Sequence, residues 1–150
     1  DLRLFSVYGK REKKHRLVYG AILKAAQKKE YNILSSNQIR DYLNVEDVIN
    51  AILLSTNIKK NLKLNVCSGK SQKTHDLVKK IFKILNCSAK LISVKKDKAN
   101  SKGLVKLVGN NKKARTSLKW KPEIPLELGI KNTIEWLKVN KNVSKQSNHE

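Results

Sequence analysis

The sequence contains no methionine, only two cysteines and only 12 acidic residues among its 150 positions. Without a methionine, no initiator residue and no signal or transit peptide can be recognised at its start, so we expect the chain to be a fragment. No apolar run approaches the roughly 20 residues that a membrane span requires, and we expect no membrane partner. Cys67 and Cys87 form no CxxC pair and no cluster with histidine, which excludes the usual zinc sites and favours a reduced, cytoplasmic compartment.

Two signatures of dinucleotide-dependent enzymes are missing as well. A dinucleotide site needs a glycine-rich turn after a strand, because the pyrophosphate must approach backbone N–H groups at a helix N-terminus. The six glycines never take that spacing. No tyrosine stands four residues before a lysine, and His15, His75 and His149 lie in polar surroundings typical of a protein surface. The residues themselves therefore indicate no catalytic group, no metal ligands and no recognisable cofactor-binding residue.

Lysine is what the sequence has in excess: Lys and Arg number 33, and the formal net charge is +21. This charge makes a nucleic acid a partner to consider. Few of the cations are arginines, however, and lysine is the poorer residue for bidentate contacts to phosphates or bases. The lysines are also spread along every segment, so we expect no nucleic acid and keep a basic binding module only as the alternative. The densest cluster, residues 10–16, fits either an anionic ligand or a solvated loop.

Apolar patterning predicts strands that alternate with helices, which is typical of an α/β fold with parallel pairing. One amphipathic helix of about four turns is predicted by an apolar stripe at helical spacing. The stripe of that helix consists of Leu17, Val18, Ala21, Ile22 and Ala25. Turn-forming residues between the second and third of the strands given below predict a hairpin. The expected strands are Leu2–Tyr8, Tyr31–Leu34, Gln38–Asn44, Leu62–Val66 and Leu91–Val94. Further helices are expected over Glu46–Ser55, after an N-cap at Thr74, over Asn110–Leu118 and over Leu126–Leu137. A loop is expected over 95–102.

Six segments, taken in order, resemble the motifs of the extended short-chain dehydrogenases/reductases that act on nucleotide sugars. They are LRLFSVYG, RLVYGAI, QIRDYLNVEDVINAILL, LNVCSG, KKARTSLKWKP and LGIKNTIEWL. Each is weak alone, but their order and spacing are specific, and the resemblance runs to about Leu137. In that family the first segment follows a Tyr-x-x-x-Lys helix. The resemblance therefore implies the C-terminal part of a doubly wound, Rossmann-like parallel sheet plus a small α/β substrate-binding subdomain over residues 1–139. Residues 140–150 are polar and have almost nothing to bury, which predicts a disordered tail.

The resemblance also implies a function. The complete enzyme is expected to be an NAD(P)-dependent nucleotide-sugar epimerase, dehydratase or reductase, which exchanges hydride with a hexose carbon of a nucleoside-diphosphate sugar. This chain would bind the sugar nucleotide, while a missing N-terminal half would bind NAD or NADP and carry the tyrosine and lysine of proton transfer. The fragment alone is then expected to be inactive, and the complete enzyme to be a cytoplasmic homodimer. A catalytically inert module that binds a sugar nucleotide or a nucleic acid is the alternative.

Four residues fall at positions that bind substrate in this family. Arg40, in QIRDYL, matches an arginine that contacts the diphosphate, and a guanidinium suits that role because it can grip two phosphate oxygens. Ser6 stands where relatives usually have an asparagine that touches the diphosphate. Arg16 and Leu17 open a helix that in relatives packs over the nucleotide base. The alternative for Arg40 is an ordinary ion pair with one of the neighbouring aspartates, Asp41 or Asp47.

Two positions and one segment depart from the family pattern. Lys10 replaces a proline, and Lys119 replaces the glycine of an LGW turn, where a residue free to take positive φ is preferred. The Arg-x-Gly-Asp segment that holds the nucleotide in many relatives is not visible, and residues 100–103 take its place. The identity of the nucleotide therefore stays open. Tyr42 and Asp47 are interpreted as structural residues of the strand-to-helix turn.

Overall fold

The computed structural model of the protein describes residues 1–34, 36–94 and 106–146. Short strands alternate with helices along these ranges, which confirms the α/β class predicted from apolar patterning. The strands are β1 (Leu2–Leu4), β2 (Ser6–Tyr8), β3 (Tyr31–Leu34), β4 (Ile39–Arg40), β5 (Tyr42–Asn44), β6 (Leu64–Val66), β7 (Gln72–Lys73), β8 (Leu91–Val94) and β9 (Lys106–Leu107). The helices are α1 (Leu17–Ala26), α2 (Val45–Ser55), α3 (Thr74–Ile84), α4 (Lys112–Leu118) and α5 (Leu126–Gln146).

The strand pairs are mostly parallel, as the alternation with helices predicts. β1 pairs with β6, β2 with β5, and β3 with β8, each in parallel. This pairing divides the predicted strand Leu2–Tyr8 at Phe5, because the two halves have different partners. The break places Ser6 opposite Tyr42 of β5.

The predicted hairpin after β3 is wrong. β3 pairs in parallel with β8, with Tyr31 opposite Leu91. β4 is the central strand of a separate three-stranded sheet, antiparallel to β7 and parallel to β9. Turn-forming residues predict where a chain reverses, but contacts between residues distant in sequence decide which strands pair.

Helix boundaries differ from the prediction in two places. α1 has 10 residues, which is fewer than three turns rather than about four. Thr74 is the first residue of α3 and not its N-cap, since Lys73 holds the cap position without a side-chain capping hydrogen bond. The predicted apolar stripe is confirmed for four of its five members, since the buried residues of α1 are Val18, Ala21, Ile22 and Ala25.

Two apolar clusters form the core. The first packs α1 and α3 against β3 and the first turns of α5. The second packs α2 and α4 against β5 and β6, and it is closed by the indole of Trp120, which is 1% exposed. The first cluster contains Tyr8, Val18, Ala21, Ile22, Ala25, Ile33, Leu77, Val78, Ile81, Phe82, Ile130, Ile134 and Leu137; the second contains Leu43, Val48, Ala51, Leu64, Val66, Ala114, Leu118 and Trp120.

The last helix is longer than predicted. α5 continues beyond Leu137 to Gln146, so the predicted disordered tail over 140–150 is corrected for residues 140–146. Each residue added to a helix that packing has already nucleated gains a backbone hydrogen bond, which explains why a polar segment can continue it. Residues 147–150 and the predicted loop over 95–102 lie outside the described residues. None of the described helices is long and apolar enough to cross a membrane.

Candidate functional site

A cavity of about 220 Å³ lies where the N-terminus of α1 meets β2, β4 and β5. It brings together all four residues predicted to bind substrate: Ser6, Arg16, Leu17 and Arg40. We call it the arginine cavity because two guanidinium groups line it. Its full lining is Ser6, Val7, Glu12, Arg16, Leu17, Val18, Gln38, Arg40, Tyr42 and Thr74.

Arg40 owes its place to the three-stranded sheet. Its backbone lies between Gln72 of β7 and Leu107 of β9, so both neighbours hold the strand in register. The side chain is half-buried, and its Nη1 donates to the carbonyl of Ile39 at 3.3 Å. A guanidinium in this setting is partly desolvated, which strengthens any interaction with an anion in the cavity.

Asp41, the next residue, serves a different purpose. Its side chain is fully buried, and its carboxylate accepts four hydrogen bonds from two loops. The donors are the backbone N–H and hydroxyl of Ser68, at 2.7 and 2.6 Å, and the backbone N–H groups of Gly69 and Gly109, at 2.9 and 3.2 Å. Asp41 therefore ties the loop after β6 to the segment before α4.

Asp47 ties down a second loop in the same way. It is 3% exposed, and its carboxylate accepts from the backbone N–H groups of Glu123 and Ile124 at 2.9 and 3.2 Å. Its carbonyl also accepts from the indole of Trp120 at 3.0 Å. We call Asp41 and Asp47 the aspartate clamp. Both carboxylates therefore hold backbone groups of loops that are distant in sequence.

Arg16 and Glu12 face each other at the entrance to α1. Arg16 is the N-cap residue of the helix, its Nη2 donates to the carbonyl of Val7 at 3.4 Å, and its Nε lies 3.5 Å from Oε1 of Glu12. Burial raises the pKa of Glu12 to about 7, while the charge of Arg16 and the backbone N–H of Tyr19 act in the opposite direction. The site therefore holds a carboxyl group that titrates near neutral pH.

Glu12 is a site residue that sequence reasoning missed. It is the single acid within the basic cluster 10–16, and that pattern could have singled it out. Gln38, Tyr42 and Thr74 were missed as well. Burial raises the pKa of Tyr42, although a hydrogen bond with the side chain of Thr74 and the charge of Arg40 oppose this shift.

Ser6 and Leu17 complete the predicted set of residues in the cavity wall. Ser6 begins β2, is half-buried, and donates its backbone N–H to the carbonyl of Asp41 at 3.0 Å. Leu17 begins α1 and is also half-buried. The arrangement can bind an anion through two guanidinium groups and a hydroxyl, with apolar surface from Leu17 and Val18 beside it.

The family model for GDP-mannose 4,6 dehydratase matches residues 1–133, which is most of the chain. The chain belongs to the extended short-chain dehydrogenases/reductases that act on nucleotide sugars. The resemblance seen in the six sequence motifs is thereby confirmed. A Methanocaldococcus jannaschii protein described as a candidate UDP-glucose 4-epimerase is 32% identical over 143 residues, which cover 93% of this chain and 45% of that protein.

Solved structures of the family agree with this assignment. The UDP-glucose 4-epimerase of Thermotoga maritima, solved with UDP-glucose, has a TM-score of 0.85 at 26% identity over 93% of this chain and 45% of that one. The UDP-glucuronic acid 4-epimerase of Bacillus cereus, solved with UDP-glucuronic acid and NAD, has a TM-score of 0.82 at 23% identity, with the same coverages of 93% and 45%. These likenesses confirm the C-terminal part of a Rossmann-like fold, and the chain spans somewhat less than half the length of these family members.

Proposed function

We propose that the arginine cavity binds the diphosphate of a nucleoside-diphosphate sugar, as the substrate site of an NAD(P)-dependent epimerase, dehydratase or reductase. The observation that carries the proposal is that Ser6, Arg16, Leu17 and Arg40, which are 34 positions apart at most in the sequence, line one cavity. Family membership supports the substrate class, since the Thermotoga maritima relative was solved with UDP-glucose.

The charges of the cavity suit a diphosphate better than a neutral sugar. The planar guanidinium of Arg40 can donate hydrogen bonds to two phosphate oxygens, and Arg16 provides a second cation in the same cavity. Hydrogen bonds between such charged groups contribute about 1.5–3 kcal/mol each. The volume of about 220 Å³ is below the roughly 300–1,000 Å³ of pockets that enclose a whole small-molecule ligand, so this cavity would enclose only part of the nucleotide sugar.

The residues present do not fit a dinucleotide cofactor. No glycine-rich strand-to-helix turn exists in the sequence, and no tyrosine precedes a lysine by four positions. NAD or NADP, which accepts and returns hydride in this family, would therefore be bound by polypeptide other than these 150 residues. We propose that the same polypeptide supplies the proton-transfer residues, and that this chain alone is inactive.

An exposed apolar surface supports the presence of such a partner segment. On α2, Ile49 is 50%, Ile52 is 45% and Leu53 is 62% exposed, and their spacing places them on one side of the helix. Proteins seldom leave neighbouring large apolar side chains in water unless another surface covers them. Packing of the cofactor-binding polypeptide against this face would bury these side chains.

Substitution of Arg40 tests the proposed function. In the natural polypeptide that contains this chain, Arg40→Ala should weaken UDP-glucose binding about 10- to 100-fold, because one charge-assisted contact to the diphosphate is lost. Titration calorimetry measures the dissociation constant for UDP-glucose and, separately, for NAD. NAD affinity should stay within about twofold, because Arg40 would not touch the cofactor.

Arg115→Ala is the matched control. Arg115 lines a separate, larger cleft of about 650 Å³, together with Lys70, Lys80 and Lys121. Its replacement should leave UDP-glucose binding unchanged. Equal losses of UDP-glucose and NAD affinity in Arg40→Ala, or an equal loss in Arg115→Ala, would contradict the proposal.

The larger cleft that contains Arg115 adds to the net charge as a feature that favours the alternative, a nucleic-acid-binding module. Its four cations come from different elements, but the lysine excess of the whole chain places lysine on most surfaces. Phosphate-backbone binding weakens steeply as salt rises. DNA binding with a steep salt dependence, in a protein that ignores UDP-glucose, would favour that alternative.

A further inference from the structure

A second cavity, of about 410 Å³, lies beside the arginine cavity at the loop between β2 and α1. We call it the loop cavity. Val7, Glu12 and Arg16 line both cavities, and both are open to solvent rather than enclosed, so one extended ligand can occupy them together. The arginine cavity alone is too small for a whole nucleotide sugar. The two cavities together have a size typical of pockets that enclose a small-molecule ligand, roughly 300–1,000 Å³.

Cations dominate the wall of the loop cavity. One of them, Lys10, is already paired, with its Nζ 2.7 Å from Oε1 of Glu46. Over the described part of the chain, neither Arg11 nor Lys13 forms an ion pair. The loop cavity therefore has positive charge that no acidic side chain of the described residues offsets. The basic residues that line it are Lys10, Arg11, Lys13, His15 and Arg16.

The arginines of this region are not explained by the lysine excess of the chain. The sequence contains five arginines, and three of them, Arg11, Arg16 and Arg40, line the two adjoining cavities. The one carboxyl group among the residues that line the loop cavity, that of Glu12, lies beside Arg16 at 3.5 Å. A guanidinium donates two parallel hydrogen bonds to a carboxylate or a phosphate, which lysine does not do. The guanidinium of Arg11 therefore suits a second anionic group of the ligand.

Backbone hydrogen bonds hold the loop that carries these cations. The N–H of Glu12 donates to the carbonyl of Gly9 at 3.3 Å, and the N–H of Arg16 donates to the carbonyl of Lys13 at 2.9 Å. Between these turns, Arg11 has a φ of 62°, which residues with a side chain rarely adopt. Strained residues of this kind are concentrated at ligand-binding sites. The loop thus presents Arg11 and Lys13 from a backbone that is already ordered.

We propose that the hexose of the nucleotide sugar lies in the loop cavity and carries a carboxylate, which binds to Arg11 and Lys13. The substrate class is therefore a nucleoside-diphosphate hexuronic acid rather than a neutral nucleotide hexose. The inference rests on the proposed function, because it assumes that the diphosphate lies between Arg16 and Arg40.

The two ends of the ligand can be assigned from the chemistry of the walls. Leu17 and Val18 give the arginine cavity an apolar surface beside its guanidinium groups, which suits a nucleoside base next to a diphosphate. The hexose then continues into the loop cavity. A neutral hexose would offer only hydroxyl groups to Arg11 and Lys13, whereas a hexuronic acid offers a carboxylate, and hydrogen bonds between charged groups are the stronger ones.

The experiment compares three ligands in the natural polypeptide that contains this chain. UDP-glucose and UDP-glucuronic acid differ only in the carboxylate at one hexose carbon, and UDP carries the diphosphate without a hexose. Titration calorimetry at constant pH and salt gives their dissociation constants. The wild type should bind UDP-glucuronic acid about tenfold more tightly than UDP-glucose, as expected for one added charge-assisted contact.

Arg11→Ala tests the carboxylate contact directly. It should lower the preference for UDP-glucuronic acid over UDP-glucose at least about fivefold, while the affinities for UDP-glucose and UDP stay within about twofold of the wild type. Lys13→Ala should lower the same preference by a smaller factor. Lys14→Ala is the matched control, because Lys14 is an exposed lysine of the same loop that lines neither cavity. It removes the same charge and should leave the preference unchanged.

Equal affinities of the wild type for UDP-glucose and UDP-glucuronic acid would overturn the inference and leave the proposed function intact. An equal loss of all three ligands in Arg11→Ala would overturn it as well, since Arg11 would then act on the diphosphate or on the fold. The same loss of preference in Lys14→Ala would reduce the effect to net charge. If the wild type bound none of the three ligands, the proposed function itself would fail, so the two failures are distinguishable.

Discussion

The aspartate clamp and the arginine cavity both bury carboxylates, but the fold surrounds those carboxylates differently. In the clamp, Asp41 accepts four hydrogen bonds from the loops of Ser68 and Gly109, and both of its oxygens are satisfied. In the cavity, Glu12 has one oxygen with no hydrogen bond among the described residues. A carboxylate whose oxygens are all hydrogen-bonded stabilises the fold, whereas a buried carboxylate oxygen without a hydrogen bond costs stability. Adjacent residues show the same division, since Arg40 lines the cavity and Asp41 holds the loops.

Replacement of Asp41 should have the largest effect on stability. Asp41→Ala leaves three partly buried backbone N–H groups without their acceptor, and we expect a loss of about 3 kcal/mol in the free energy of unfolding. Urea titration followed by circular dichroism measures this loss. The neighbouring Arg40→Ala is the matched control and should cost less, because it leaves the backbone N–H groups of Ser68, Gly69 and Gly109 with their acceptor. Equal losses in the two variants would remove the distinction between clamp and cavity.

Substitution of Gly129 tests the packing of α5 against β2 and β5, which stabilises the fold outside the arginine cavity. An added Cβ would overlap the hydroxyl of Tyr8 and lie 2.7 Å from Nδ2 of Asn44, whose Oδ1 caps α2. Gly129→Ala should therefore push α5 away from β2 and β5 and destabilise the protein by about 2 kcal/mol, as overpacked cores do.

Gly20→Ala in α1 is the control for that substitution. There the added Cβ would lie 3.2 Å from the hydroxyl of Tyr31, at the end of a side chain that can move. Alanine also favours a helix over glycine, so the net change should stay within about 1 kcal/mol. Thermal unfolding of the two variants gives the comparison, and a larger loss in Gly20→Ala would show that α5 packs less tightly than the structure indicates.

The smallest effect is expected at Lys119. Its φ is 52°, in the left-handed region, at the end of α4. Lys119→Gly should relieve this strain and stabilise the protein by up to about 1 kcal/mol, while Lys113→Gly inside α4 should destabilise it by a similar amount. Chemical denaturation measures the free energy of unfolding of both variants and distinguishes the expected gain from the expected loss. Because neither residue lines the arginine cavity, UDP-glucose binding should be unchanged in both.

Lys119 also shows how far local reasoning reaches. Its position in place of a glycine predicts a positive φ, and the structure confirms it, because the geometry at a helix end depends on a few neighbouring residues. The apolar stripe of α1 was predictable for the same reason. Resemblance to the family motifs selected Arg40, Ser6, Arg16 and Leu17, and the structure places all four in one cavity.

Glu12 and the strand pairing show where local reasoning stops. A glutamate among lysines is typical of an exposed loop, and only the tertiary structure shows that the side chain of Glu12 is 9% exposed. The predicted hairpin fails in the same way, since β3 finds its partner in β8, about 60 residues later in the chain.

Sequence alone determined the α/β class, the stripe of α1 and the family, because periodicity and motif spacing are properties of neighbouring residues. Tertiary structure alone decided which strands pair, which carboxylates are saturated, and that Glu12 lies beside Arg16 with an unsatisfied oxygen. Burial and hydrogen-bond satisfaction depend on groups brought together from distant parts of the chain. A local pattern does not encode those groups.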